Sequence, residues 1–486
     1  VPANFGFNPT DLARFLPEIL LTIFGTFLMV LDPILHKRAS YAFGHLTILG
    51  LLAALGGTLV AYNNAGPAFG GMLVIDGYGT FFRVLVIVVG ILTVLPSYRF
   101  LARQEAETSE YHALLLFSIA GQCLMVVAND LIMVFIGLEI SSIASYVMAG
   151  YLRDDKRNNE SALKYFLLGS FATGFFLYGV ALVYGATGSV NLSTVRAHVL
   201  QQNAEPVLLA VAAALMFVGL GFKVSAAPFQ IWAPDVYQGA PTPVSAFLSA
   251  GPKAAAFAVF LRIFYTAFEP IGARWAPLVW GAALLSMCVG NFAALLQTNV
   301  KRMLAYSSIA HAGYVLVAIT ARSEDGAAAL MFYLAAYALM NVGAFAAVTY
   351  LSGKGDRYVN IDDFKGLAKK QPLAAAMFTI FLLSLIGVPL TGGFFGKFYI
   401  FRAALESHLV WLTVLGLLNS AVAAYYYLRL LVMMYMHEPG EATEAAEPLS
   451  TGLRLALVLP ALGTLVLGIF PNWVLEFAGK SAGIIR

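Results

Sequence analysis

The sequence predicts an all-α integral membrane protein of about fourteen transmembrane helices, organised as two inverted five-helix repeats that each contain a broken helix. Three observations predict it. Hydrophobic residues make up 60% of the 486 and charged residues 11%, with a mean hydropathy of +0.79, a balance that leaves a soluble fold too little polar surface. Apolar runs of roughly 20 residues, the length a helix needs to cross a bilayer at about 1.5 Å per residue, recur along the chain between short polar breaks. Two long stretches also match each other at a nearly fixed shift.

The runs place spans near 11–32, 43–62, 78–98, 111–128, 131–151, 161–186 and 206–227, then near 243–268, 275–298, 303–321, 327–352, 373–405, 409–436 and 452–475. The first run is too long for a signal-peptide core and lacks a basic leader and a small-residue cleavage site, so it reads as a span. The chain ends about ten residues after the last one. Basic residues alternate between loops: Lys37 and Arg38; Arg99 and Arg103; Arg153, Lys156 and Arg157; Lys301 and Arg302; and the cluster from Lys354 to Lys370. The intervening loops hold only Arg196, Arg274 and Arg322. Positive loops stay in the cytoplasm, which puts both termini outside, on the periplasmic side of a bacterial inner membrane, and requires an even number of spans. The acidic stretch from Glu438 to Glu447 reads as a solvated linker.

Ala162, Leu163, Phe166, Leu167 and Gly188 match Ala329, Leu330, Tyr333, Leu334 and Gly355 at a constant shift of 167 positions, from 162 to 329 and from 188 to 355. SIASYV from Ser142 pairs with SIAHAGYV from Ser308, and AAFAVFLRIF ending at Phe264 with VAAYYYLRLL ending at Leu431, which sets Arg262 opposite Arg429. A five-span unit forces its second copy to insert upside down, the architecture of transporters with a midplane site. The chain thus divides into an N-terminal three-helix segment (1–110), a first repeat (111–268), a second repeat (275–437) and an acidic linker with the last span (438–486).

A charge at the centre of a span costs roughly 2.5 to 3.5 kcal/mol on insertion scales, so such residues usually serve a path or a partner. Glu139, Lys223, Lys253 and Lys397 lie inside apolar runs, and His311 and Lys164 are further candidates. Each has a structural alternative. Glu139 and Lys223 form an ion pair without traffic, Lys164 snorkels to the headgroups, and His311 is a hydrogen-bonded core residue. Arg262 and Arg429, near helix ends, read as anchors.

Two of the charged spans are interrupted. Pro228 removes the amide that would bond the Val224 carbonyl, and Pro389 does the same to Leu385 with Gly392 and Gly393 just beyond. Carbonyls freed in hydrocarbon are tolerated only under protein or water. Lys223 precedes its break, near a negative half-helix end, and Lys397 follows its own, near a positive one. Thr242 and Pro243 form an N-cap and first-position pair for the next helix.

The two cysteines, Cys123 and Cys288, sit in separate apolar runs as packing residues. With no CxxC, Cys/His cluster or dinucleotide glycine fingerprint, the sequence predicts no metal, cluster, flavin or nucleotide in this chain. The net charge of +3 resides in short loops, where insertion bias alone puts it, so nucleic-acid binding is not expected.

GFKVSAAPFQIWAPDVYQGAPTPVSAF (221–247) and LLSLIGVPLTGGFFGKFYIF (382–401), with GLEISSIASY and NIDDFKGLAKKQP, strongly resemble the antiporter-like subunits of respiratory complex I. Among these the chain is most similar to the subunit N group, bacterial counterparts of mitochondrial NADH dehydrogenase subunit 2. The resemblance covers essentially the whole chain. Lys397 stands where subunit M carries Glu, the long C-terminal extension of subunit L is missing, and the first three helices that the animal version lacks are present.

The resemblance implies an antiporter-like fold and a role in proton translocation by NADH:quinone oxidoreductase. It implies that Glu139 and Lys223 pair in a first half-channel, that Lys253 is the central lysine and Lys397 the terminal one, with His311 between them, and that Lys164 is an additional lysine of the sixth span. It further implies other membrane-arm subunits as partners, another antiporter-like subunit included, no cofactor in this chain, and NADH, FMN, iron–sulfur clusters and quinone on other subunits. The alternatives are an Mrp-type cation/proton antiporter subunit and a non-pumping membrane scaffold.

The physics of such a row has a suitable size. Burial strips a lysine of up to about 3 to 5 pKa units, and a carboxylate about 4 Å away at an effective dielectric of about 20 returns on the order of 4 kcal/mol. Moving one charge against about 200 mV costs roughly 4.6 kcal/mol.

The orientation is testable. In a background lacking Cys123 and Cys288, a single cysteine at Asn64 or Ser189 is expected to react with an impermeant thiol reagent from outside, and one at Asp155 only from inside. The reverse labelling pattern overturns the assignment.

Overall fold

The computed structural model describes residues 9–35, 40–106, 109–201 and 205–483; Lys37 and Arg38 lie outside the described residues. Thirteen helices among these are long and apolar enough to cross a bilayer. In chain order the first six are α1 (Leu16–Leu35), α2 (Ser40–Asn63), α3 (Gly77–Gln104), α4 (Ser109–Val127), α5 (Leu131–Ala149) and α6 (Lys156–Thr187). α7 (Pro206–Val224) precedes a short helix, α8 (Trp232–Gly239), and then α9 (Thr242–Thr266), α10 (Gly272–Leu295), α11 (Val300–Thr320) and α12 (Glu324–Leu351) follow. The span expected near 373–405 is two 15-residue helices, α13 (Pro372–Ile386) and α14 (Gly392–Glu406). Neither half is long enough to cross alone. α15 (Val410–Met436) and α16 (Thr451–Ile469) complete the set, and the split pair counted once brings the crossings to the expected fourteen.

Helices that are apolar all round belong in the middle of a bundle, and burial shows which these are. Every residue in the most apolar stretch of α9 is buried, as are 94% in α11 and 89% in α12, against 28% in α1 and 33% in α15. The centre of the molecule is therefore built on α9, α11 and α12.

Each repeat is pinned by the same device. Asp130 and Asn191 form an isolated antiparallel bridge, and Asn299 and Asn360 form its counterpart, a shift of 169 from 130 to 299 and from 191 to 360. Leu131 N donates to Val190 O at 2.9 Å, and Val300 N to Val359 O at 2.7 Å. Asp130 and Asn299 then cap α5 and α11 through their side chains. Close backbone contact is repeated as well. A Cβ on Gly121 would meet Gly137 O at 2.6 Å, and one on Gly290 would meet Ala310 N at 2.5 Å, so α4 packs on α5, and α10 on α11, at a distance only glycine permits.

Both breaks occur where the prolines require. α7 ends at Val224 with Ser225 left-handed at φ 60°, and α13 ends at Ile386 with Gly387 at φ 96°, four and three residues before Pro228 and Pro389. Thr242 does not cap α9; it occupies the first turn, and its hydroxyl donates to Asp356 at 2.7 Å.

Other expectations are corrected. The 64–76 loop folds into a small hairpin, Gly66–Ala68 with Leu73–Ile75, and α16 is followed by a further helix, Asn472–Ala482, packed against α12. The acidic segment after α15 keeps its carboxylates solvated, with Glu438, Glu441 and Glu447 largely exposed as they pair with Lys369, Arg357 and Arg99, but it is docked through buried Ala442 and Thr443. Lys301 is fully buried, donating to Ala240 O and Asp356 at 2.7 Å each, because the bridge at Asn299 turns the start of α11 into the protein.

Arg262 is no headgroup anchor. It is buried and forms two parallel hydrogen bonds to Asp76, at 2.9 and 3.0 Å, beneath the Tyr78 ring. Arg83 and Glu18 form a second buried pair at 2.7 Å that ties α3 to α1. Its signal was present as two charges inside apolar runs. Removing one partner of a buried pair leaves an uncompensated charge and costs about 3–5 kcal/mol. Asp76→Asn keeps a side chain able to cap α3 but loses that charge. The purified protein is expected to unfold at a clearly lower temperature as Asp76→Asn, and Asp76→Asn/Arg262→Met is expected to recover most of the loss. An unchanged midpoint in the single variant would show that the pair does not hold α3 to α9.

Candidate functional site

The candidate residues fall into a buried series and one outlier. Lys223, in the last turn of α7, is 3% exposed and donates to Ser142 Oγ at 2.7 Å between the rings of Tyr146 and Tyr165. Glu139 stands one turn before Ser142 on α5, and its Oε1 is buried without a hydrogen-bond partner. The expected Glu139–Lys223 contact is thus not formed, since the serine takes the ammonium instead.

Lys253, in mid-α9, is 2% exposed and donates to Ser308 Oγ at 2.8 Å beside the Tyr237 ring. Among the described residues no hydrogen bond joins the Lys223 group to the Lys253 group. An aromatic wall spans the interval, with Tyr165 stacked on Trp232 at 4.4 Å and Trp232 edge-on to Tyr237.

From Lys253 onward one helix carries the series. α11 presents Ser308, His311 and Tyr314 at three-residue spacing, which keeps them on neighbouring parts of one face. Ser308 meets Lys253. His311 shares Nδ1 with the Tyr333 hydroxyl at 2.5 Å and Nε2 with the Tyr427 hydroxyl at 3.3 Å, and Tyr427 in turn bonds Ser307. The Tyr314 ring lies 4.9 Å from Lys397 Nζ. The buried Tyr337 ring lies beside His311, with 5.2 Å between ring centroids.

Lys397 donates to the carbonyls of Leu385 at 3.0 Å and Ile386 at 2.8 Å and to Ser420 Oγ at 2.8 Å. Those carbonyls form the negative C-terminal end of α13, so the expectation of a positive neighbouring end is corrected. The ends of α13 and α14 face each other across a short turn, and the lysine stem is long enough to run back to the favourable one. Glycine makes this possible, because a Cβ on Gly393 would meet Ser384 O at 1.9 Å. A cavity of about 570 Å³ opens beside Lys397 between α14 and α15.

Lys164 is the outlier. Its side chain is 41% exposed and pairs with Glu160 and Asp235 at 2.7 Å each, while Asp235 also holds Arg302. Sequence reasoning missed the neutral partners Ser142, Ser308, Tyr333, Tyr427 and Ser420. The repeated SIASYV and SIAHAGYV segments were the signal for three of the polar positions, since Ser142, Ser308 and His311 all lie in them.

Residues 128–423 match the family described as "NADH:quinone oxidoreductase/Mrp antiporter, TM". The chain is 77% identical over 486 residues, the full length of both proteins, to NADH-quinone oxidoreductase subunit N 1 of Solibacter usitatus. It is similar to a chain of respiratory complex I from Thermus thermophilus with bound aureothin, with TM-score 0.82 and 37% identity, covering 95% of this chain and 99% of that one. A chain of the Mrp complex from Dietzia sp. shares the fold at TM-score 0.84 and 21% identity, covering 99% and 98%. With its split helices, repeated bridges and buried lysine series, the chain belongs to the NADH:quinone oxidoreductase/Mrp antiporter transmembrane family, among the subunit N members of NADH-quinone oxidoreductase.

Proposed function

We propose that protons cross this subunit along a row running from Glu139 and Lys223 through Lys253 and His311 to Lys397. As a subunit N member the chain is a membrane-arm subunit of a proton-translocating NADH-quinone oxidoreductase, with other membrane-arm subunits as neighbours. The observation that carries the path is the α11 face, where Ser308, His311 and Tyr314 join two buried lysines through the centre of an apolar bundle.

Lys223 and Lys253 hold protons on amines whose partners are neutral hydroxyls, so a proton can leave without breaking an ion pair. Glu139, unpartnered at Oε1, is the movable charge: its approach stabilises an ammonium at Lys223, and its withdrawal favours release. His311 passes a proton between its two nitrogens, each already bonded to a tyrosine hydroxyl. Water supplies the steps longer than a hydrogen bond. Lys397 is the last carrier and discharges into the cavity beside it. Lys164, at the exposed edge of the bundle where its pairs with Asp235 and Glu160 are not shut in low dielectric, collects protons for the first half. Both termini face the periplasm, and NADH, FMN, iron–sulfur clusters and quinone are carried by other subunits.

A scaffold role predicts that any cation serves at position 397. A carrier role predicts that the cation must exchange its proton, and a guanidinium, with pKa above about 12, holds it too tightly. Lys397→Arg and Lys397→Ala are therefore both expected to lose roughly ten-fold or more of NADH-driven acidification in vesicles, equivalent to about 1.4 kcal/mol on the transfer barrier, after normalisation to assembled complex. Full activity in the Arg variant refutes the carrier role.

A further inference from the structure

A second cavity, of about 710 Å³, contains none of the row's residues. α2 and α16 both pack on α3 and leave a groove over it, polar at one end and apolar at the other. Arg99 and Arg103 stand one turn apart at the end of α3, with side chains 29% and 21% exposed. Both reach toward the single carboxylate of Glu447, Arg99 in direct contact and Arg103 at 3.9 Å. One positive charge is left over.

The first turn of α16 lies on the same rim. Ser450 caps the Leu453 amide, which leaves Thr451 and Gly452, both lining the cavity, with first-turn amides free to donate at the positive end of a helix. Next to the arginines, Tyr98 bonds His45 at 3.1 Å and its ring stacks on Tyr41, an aromatic cluster of the kind that sits at headgroup depth. Below this lie Ile48, Leu95 and Leu455. One turn further along the two flanking helices, Leu52 and Leu459 are 52% and 47% exposed and extend the apolar track toward the bilayer midplane.

The geometry points to a binding site for one anionic phospholipid, its phosphodiester held by Arg99, Arg103 and the first amides of α16 and its acyl chains lying along the α2–α16 groove. Charge and layering both favour this occupant. The surplus of one positive charge matches one phosphodiester, and the polar-to-apolar order along the groove is that of a lipid. The volume suits a headgroup and the beginning of its chains, within the roughly 300–1,000 Å³ usual for ligand sites.

The test uses the whole complex, purified in detergent and delipidated, as wild type, as Arg99→Gln/Arg103→Gln and as Ile48→Trp, which fills the apolar end and keeps both arginines. Native mass spectrometry is expected to show wild type rebinding one more phosphatidylglycerol than either variant, with affinity weakened roughly ten-fold or more by loss of the arginines, and no such difference with phosphatidylcholine. The mass of the intact assembly in the same native spectra confirms that each variant subunit has been incorporated. Short-chain phosphatidylglycerol is expected to raise the thermal midpoint of wild type, and inorganic phosphate at equal concentration is not. Equal lipid retention in all three proteins, as for a groove closed by a neighbouring subunit, overturns the proposal, and so does equal stabilisation by inorganic phosphate.

Discussion

A carbonyl released inside hydrocarbon has no water to bond, and leaving it bare costs several kcal/mol. At α13 the same interruption that frees the Leu385 and Ile386 carbonyls supplies their donor, because the chain returns as α14 and brings Lys397 back over them. Two expensive groups, a buried ammonium and a broken helix end, satisfy each other. The turn between them is stitched by Gly393 N donating to Ser384 Oγ at 3.0 Å, at a spot where any Cβ on residue 393 would collide with backbone. The end of α7 is covered differently: Trp232 Nε1 donates to Phe222 O at 2.9 Å. Lys223 is therefore not needed as a cap and is available to Ser142.

The two breaks share a lysine and a proline but not their order: Lys223 precedes its break and Lys397 follows its own. The order was legible in the sequence; that the Lys397 stem runs back to the end of α13 was not, because it depends on the tertiary path between the halves. The break positions themselves were legible, since a proline removes a known hydrogen bond, and so was the count of spans. The repeat was legible from three weak matches, and the bridges at Asp130 and Asn299 give it a structural cause.

Side-chain partnership was less legible. A charge inside an apolar run announces burial but not its partner. Asp76 lies in a loop and Arg262 near a helix end, yet they meet in the interior, and no pattern within either segment carries that information. Lys301 counted as a loop cation because it precedes an apolar run, whereas the bridge at Asn299 draws it inside. Glu18 and Arg83 also lie inside apolar runs, a signal that sequence reasoning missed. Together they hold the first and third helices, outside both repeats.

Partner chemistry then separates the frame from the proposed path. The arginines buried in spans, Arg83 and Arg262, face carboxylates, and buried Lys301, outside the row, also faces one. The three lysines of the row face serine hydroxyls: Ser142, Ser308 and Ser420. A carboxylate beside a cation fixes its charge, because losing the proton would strand the anion in low dielectric. A hydroxyl solvates an ammonium or an amine alike, donating to one and accepting from the other as its rotor turns. The frame is therefore built from cations that cannot discharge where they stand. The row is built from cations that can, and His311, bonded on both nitrogens to tyrosine hydroxyls that donate or accept in the same way, follows the same rule with a different base.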